Sequence, residues 1–191
     1  MGAGPAGEKN APTELHAAPR VPGILLDTHD TRPHWSSRCY CNIIYNIAMR
    51  LVLDTDVFLA GVRSRRGASR LLLECGLRGR FTWLLSQALF LEYEAVLMRA
   101  ENLSAANLSE QDAEQILAGV AEAITAVPID FLWRPQLSDP GDEMVLETAV
   151  NGRVRYLVSF NTRHFVRATA RFGIMTMRPG DLLVRHPEVF Q

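Results

Sequence analysis

From residue 49 onward, short apolar runs alternate with longer stretches in which apolar residues recur every three or four positions. That alternation predicts β-α-β units, in which parallel strands carry helices on both faces. Residues 51–53 (Leu-Val-Leu), 81–85 (Phe-Thr-Trp-Leu-Leu), 155–159 (Arg-Tyr-Leu-Val-Ser) and 173–177 (Gly-Ile-Met-Thr-Met) read as strands. Helices are predicted at 56–62 and 68–75, the second ended by Gly76 or Gly79, because glycine is favoured just past a helix end. Ser86 is placed to cap a helix reaching about residue 99, with Leu89, Tyr93, Val96 and Leu97 on one face. Ser109 caps a further helix to about residue 126, with acids in its first turn and Ile116, Leu117, Val120 and Ile124 on the apolar side. Residues 127–130 read as a short edge strand, 142–150 as a helix closed by Asn151-Gly152, and Pro179 opens a short terminal helix. The expected fold class is α/β, three layers around a central, mostly parallel sheet.

Residues 1–48 lack this pattern. They mix Gly, Pro, Ala, Thr and charges without a period, a composition that does not bury enough surface to offset the entropy of ordering. A disordered extension is expected there, with the folded domain over 49–191. Met49 directly precedes the first strand, which suggests that the functional protein starts at that residue. Residues 24–30 echo 51–56 (Leu-Leu-Asp-Thr-His against Leu-Val-Leu-Asp-Thr-Asp), but Asp30, Arg32 and Pro33 follow, poor material for a helix, and the echo reads as coincidence.

A length of 191 residues with 48% hydrophobic content suits one globular domain. Lys+Arg 20 against Asp+Glu 21 gives a formal net charge of -1, so any nucleic-acid binding must come from a local patch. Lys9 is the only lysine, and Cys39, Cys41 and Cys75 form neither a CxxC pair nor an even set, which argues against a disulfide framework and a structural zinc site. No apolar run approaches the roughly 18 residues of a membrane span. A soluble, cytoplasmic protein is expected.

In an open parallel sheet, ligands bind beyond the carboxyl ends of the strands. Asp54 and Asp56 follow the first strand, Glu92 and Glu94 lie on the helix after the second, Asn161, Arg163 and His164 follow the strand at 155–159, and Asp139 and Asp142 open a helix. Carboxylates gathered in one cleft repel each other unless a cation lies between them, and oxygen ligands of this kind suit Mg²⁺ or Mn²⁺. Such an ion activates water and stabilises a leaving oxygen, so phosphodiester hydrolysis is the natural chemistry. The bland alternatives are local. Asp54, Asp56 and Asp142 can cap helices, Asp139 can serve the turn at Pro140-Gly141, and Glu92 can be no more than a good helix former.

Four segments in order resemble the PIN-domain family, particularly its toxins of bacterial toxin-antitoxin pairs: Leu-Val-Leu-Asp54-Thr-Asp-Val-Phe; Ser86 through Glu92 to Leu97; Asp139-Pro-Gly-Asp142-Glu-Met-Val-Leu; and Tyr156-Leu-Val-Ser-Phe-Asn161-Thr-Arg-His-Phe165. The resemblance implies a PIN-like nuclease domain over 49–191 that cleaves RNA with Mg²⁺ or Mn²⁺, a cognate antitoxin as partner, and a homodimer. It places the metal-binding acids on Asp54, Glu92 and Asp142. Asn161 stands where many members have an aspartate, and His164 where many in the subgroup have another, which favours one firm metal over two. Glu94 is the substitute for Glu92.

Arg63, Arg65 and Arg66 after the first acid, and Arg163 and His164 after Asn161, suit contacts to phosphate; a solvated loop or an antitoxin contact is the alternative. Trp83 and Trp133 read as core or edge packing. Two rival functions remain. Leu53-Asp-Thr-Asp-Val57 also resembles the opening of haloacid-dehalogenase-type phosphatases, though these need a downstream basic residue, usually lysine, and none follows Lys9. A catalytically degenerate module that binds RNA or a protein is the other.

Overall fold

The computed structural model describes residues 49–190. The extension expected over 1–48, and the echo at 24–30, lie outside the described residues. Five strands form one parallel sheet in the order β3-β2-β1-β4-β5: β1 (Arg50–Leu53), β2 (Thr82–Leu85), β3 (Thr125–Ala126), β4 (Tyr156–Val158) and β5 (Met175–Met177). Successive residues Leu51, Val52 and Leu53, then Trp83, Leu84 and Leu85, then Tyr156, Leu157 and Val158 are all buried. Side chains alternate between faces, so burial of consecutive residues means that helices cover both faces, the three-layer α/β arrangement the pattern predicts.

The helices in the first half are α1 (Thr55–Arg63), α2 (Ala68–Leu77), α3 (Gln87–Leu97), α4 (Ala100–Ala106) and α5 (Glu110–Ala123). After a 3-10 turn at Pro140–Asp142 come α6 (Glu143–Asn151), α7 (Thr162–Ala170), α8 (Pro179–Arg185) and α9 (Pro187–Phe190). Capping explains most boundaries. Ser86 accepts from Leu89 N at the start of α3, and Ser109 forms a reciprocal capping box with Asp112 at α5. Gly79, at φ 63°, closes α2; Gly76 lies inside that helix, where an added Cβ would stand 2.8 Å from the Trp83 ring. Trp83 is fully buried.

Several expected boundaries are corrected. The helix predicted to about residue 99 stops at Leu97, because the buried Asn102 amide donates to the carbonyl of Val96, and α4 follows as a separate helix. The helix predicted to residue 126 ends at Ala123, and the edge strand is Thr125–Ala126 rather than 127–130, fixed by its pairing with Leu84 and Leu85. Helix α7 has no counterpart in the hydrophobic pattern, since only Phe165, Ala168 and Thr169 of it are buried. Residues 127–137 are irregular, and α6 begins at Glu143 rather than 142.

Candidate functional site

Strand order reverses direction between β1 and β4, where β1 leads on to β2 on one side and receives β4 on the other. The carboxyl ends of these two strands are therefore the switch point at which this class of sheet presents ligand sites. Asp54 N donates to the carbonyl of Val158 at 2.9 Å, which ties the end of β1 to β4. Asp54, Asp56, Glu92, Asp139, Asp142 and Asn161 line one cleft of about 430 Å³ there. Each comes from a different structural reason. Asp54 ends β1; Glu92 emerges from α3, whose cap Ser86 is also held by the Thr148 hydroxyl of α6 at 2.7 Å. Asp142 closes the 3-10 turn, and Asn161 follows β4.

Asp54 satisfies both readings of its position. Its Oδ1 accepts from Thr55 N at 2.8 Å at the start of α1, and it belongs to the acidic cleft. Only 7% of it is exposed, and its pKa rises from the ordinary 3.8 to about 7. Burial is the largest cause, followed by repulsion from Asp56; the Ser159 hydroxyl opposes both by hydrogen bonding to the charged form, and Asp142 adds further repulsion. Asp56 is raised too, first by desolvation, although the Val57 and Phe160 backbone amides favour its charge. Asp142 is raised by burial, with His164 working against it. Asp56 does not cap α1, since Asp54 does, and Asp142 makes no capping hydrogen bond, since Asp139 accepts from Gly141 N in that turn.

His164 stands at the rim. Its Nε2 lies 3.7 Å from Asp142 and accepts from Asp139 N at 3.4 Å, while Nδ1 lies 3.4 Å from the Asn161 amide. Asn161 N in turn donates to Ser159 Oγ at 2.9 Å. Ser159 is fully buried and its hydroxyl serves both Asp54 and Asn161. Reading the strand only as an apolar run misses it; a hydroxyl at the strand end, beside the first acid's strand, is the signal.

The predicted arginines disperse. Arg63 and Arg65 line a hollow shared with Asn107 and Asp112, away from the acids, and Arg66 faces a groove with Phe160 and Arg178. Arg163 and His164 line a hollow beside the cleft, together with Arg167 and Arg171, neither of which the sequence pattern singles out. Glu94 is exposed and does not line the cleft.

The donor set suits a hard divalent cation: carboxylate oxygens that repel one another and one neutral amide, with Asp54 raised first by burial and then by Asp56. Among the described residues no three acidic, imidazole or thiol side chains converge at ligand distance. Magnesium commonly keeps several waters and takes one or two carboxylates directly, so an open basin of this kind fits it better than a closed cage would. Among the described residues no helix is long and apolar enough to cross a membrane. The PIN-domain family model matches residues 50–163, a span that contains every residue lining the acidic cleft. No curated protein matches the chain.

Proposed function

The chain belongs to the PIN-domain family, whose members are typically metal-dependent nucleases, and on that premise we propose that it is a Mg²⁺- or Mn²⁺-dependent endoribonuclease cutting single-stranded or structured RNA. The observation that carries the reading is the basin at the switch point. There Asp54, pushed up to about 7 by burial first and by Asp56 and Asp142 after it, shares one cleft with Glu92, Asp139 and Asn161.

Asp54, Glu92 and Asp142 would hold the ion through carboxylate oxygens, and Asn161 would add a neutral carbonyl or position a water. When bound, the ion supplies charge neutralisation for the phosphodiester and makes water a better nucleophile at neutral pH. The protein's own groups set the stage. Thr55 N–H and the Ser159 hydroxyl orient Asp54 and favour its ionised form. Ser86 fixes α3 so that Glu92 faces the basin. His164, beside Asp142, is suited to hold a phosphate oxygen at the rim. Asn161 removes one charge from the set, which favours one firm metal over two.

The finer roles extend the same proposal: the toxin of a type II toxin-antitoxin pair, cytoplasmic, restrained by a cognate antitoxin and dimeric when free. The test is cleavage of single-stranded RNA with and without Mg²⁺ or Mn²⁺, comparing the wild type with Asp54→Asn and Asp142→Asn. Loss in both variants supports the reading, and cleavage that survives both, or needs no divalent ion, refutes it. Turnover of a small phosphate ester without RNA cleavage would favour the phosphatase alternative. Growth arrest on expression, relieved by a co-encoded small protein, tests the toxin role.

A further inference from the structure

Beside the acidic basin the surface changes sign. Helix α7 starts at the basin and carries Arg163 and Arg167, with Arg171 at its C-cap still in helical conformation; at intervals of four residues the three lie along one exposed face spanning about 12 Å. Arg163 and Arg167 make no ion pair among the described residues, and Arg171 hydrogen-bonds only the neutral Gln136 side chain, at 2.9 Å. A row of uncompensated guanidinium groups in a chain of net charge -1 is a local basic track.

The track ends against an aromatic platform. Trp133 meets the Phe172 ring edge-on with centroids 5.4 Å apart and lies 6.2 Å from Phe131, and Phe131 and Trp133 are 64% and 43% exposed. These rings sit on the irregular segment 127–137, yet that segment is built, not loose. One face of α6 holds it through residues spaced by four: Glu143 accepts from Gln136 N and Leu137 N, Glu147 takes two parallel bonds from Arg134, and Asn151 binds both N–H and C=O of Phe131. Two buried carboxylates are thus used to hold large apolar side chains out in water.

A basic groove followed by exposed aromatic faces is the combination that binds single-stranded nucleic acid, with arginines on the phosphates and bases stacked on rings. The geometry points to a path for single-stranded RNA that leaves the basin, runs along the Arg163–Arg167–Arg171 ridge of α7 and stacks bases on Phe131 and Trp133. This rests on the nuclease reading for the direction of the strand, and binding on the ridge can be read separately from cleavage.

The experiment uses the full chain in EDTA, with anisotropy of a labelled mixed-sequence RNA of about 12 nucleotides, within the usual single-strand site sizes. Removing two phosphate contacts with Arg167→Ala/Arg171→Ala lowers the salt dependence of log K by about 1.4. The pair Arg167→Lys/Arg171→Lys restores it. Phe131→Ala and Phe131→Leu each weaken binding roughly 10-fold, while Phe131→Tyr does not, because stacking needs a ring and not only apolar bulk. The same sequence as a duplex shows no dependence on Phe131. Unchanged affinity and salt slope in the arginine variants, or equal binding by Phe131→Leu and wild type, overturns the path and leaves this face to a protein partner. Ridge-dependent binding without cleavage under any divalent ion would instead preserve the path and remove the nuclease reading.

Discussion

Asp54 and Glu147 are both buried carboxylates, 7% and 3% exposed, and they meet opposite surroundings. Glu147 receives the Arg134 guanidinium through two bonds of 2.8 Å, the fork geometry that satisfies both carboxylate oxygens at once. Asp54 meets Asp56 and Asp142, and its pKa climbs to about 7. The carboxylate of Glu147 is complete within the chain and fastens the 127–137 segment. That of Asp54 accepts from Thr55 N and the Ser159 hydroxyl, and among the described residues no cationic side chain pairs with it. A buried acid with its cation in place marks architecture, and one surrounded by its own kind in a cleft is a candidate place for a ligand.

The sharpest way to break the comparison is Asp54→Asn. RNA cleavage should fall at least about 10³-fold, as for loss of a central catalytic group. The metal-free fold should become more stable at pH 8. Because the folded pKa of Asp54 is raised above 3.8, the folded state holds an extra proton between about 4 and 7, and stability declines as pH rises through that window. Asp56 and Asp142, also raised, act in the same sense. Thermal melts in EDTA should therefore show the wild type losing stability from pH 5 to 8 and Asp54→Asn losing less. Added Mn²⁺ should stabilise the wild type more at pH 8 than at pH 6, since binding competes with the proton. A flat wild-type profile would contradict this account.

Glu147→Gln attacks the other member of the pair. It removes a charge-assisted fork whose arginine is half exposed, so a loss of about 1–3 kcal/mol is expected in urea unfolding, with faster proteolysis in 127–137. Unaltered stability and protease resistance would show that Glu147 is not what fastens the segment. Ser159→Ala comes next. With the hydroxyl gone, Asp54 loses a bond to its charged form, and metal affinity should fall about 10-fold, as for other groups that orient a ligand from behind. Titration calorimetry with Mn²⁺ reads it, with Ser159→Thr expected to retain most of the affinity. The smallest effect belongs to Asn161→Asp, which should tighten a second divalent ion a few-fold and lower metal-free stability slightly, by adding one more like charge. Weaker metal binding in that variant would place Asn161 outside the ligand set.

Much of this comparison is legible in the amino-acid sequence. The strand cores follow from period, and the rule that ligands sit beyond parallel strands points to the acids after them; the resemblance to the PIN family narrows these to Asp54, Glu92, Asp142 and Asn161, which line one cleft together with Asp56 and Asp139. Nearness in sequence misleads for Arg63 and Arg65: the nine residues of α1 carry them about 14 Å from Asp54. Helix α7 is hidden because its polar face dominates its pattern, and with it goes the spacing of Arg167 and Arg171. The segment 127–137 reads in sequence as at most a short edge strand over 127–130, for its actual order comes from Glu143, Glu147 and Asn151, side chains beyond it in the chain. Ser159 is hidden by the opposite cause, a small polar residue in an apolar run that gains meaning only when β4 lies beside β1.

The pairing of β1 with β4 also governs when the basin comes into being. Leu51 registers with Tyr156 and Leu53 with Val158, so the central strand takes one neighbour from a part of the chain made roughly a hundred residues later. A nascent chain carries Asp54 and Glu92 long before it carries Asp142, Ser159 and Asn161. Until β4 emerges and docks, Asp54 has neither the Ser159 hydroxyl that bonds it nor the neighbouring strand it packs beside. The basin therefore takes shape only once the chain has been made past Asn161 and β4 has docked beside β1, so its assembly is a late, long-range event and not a local one.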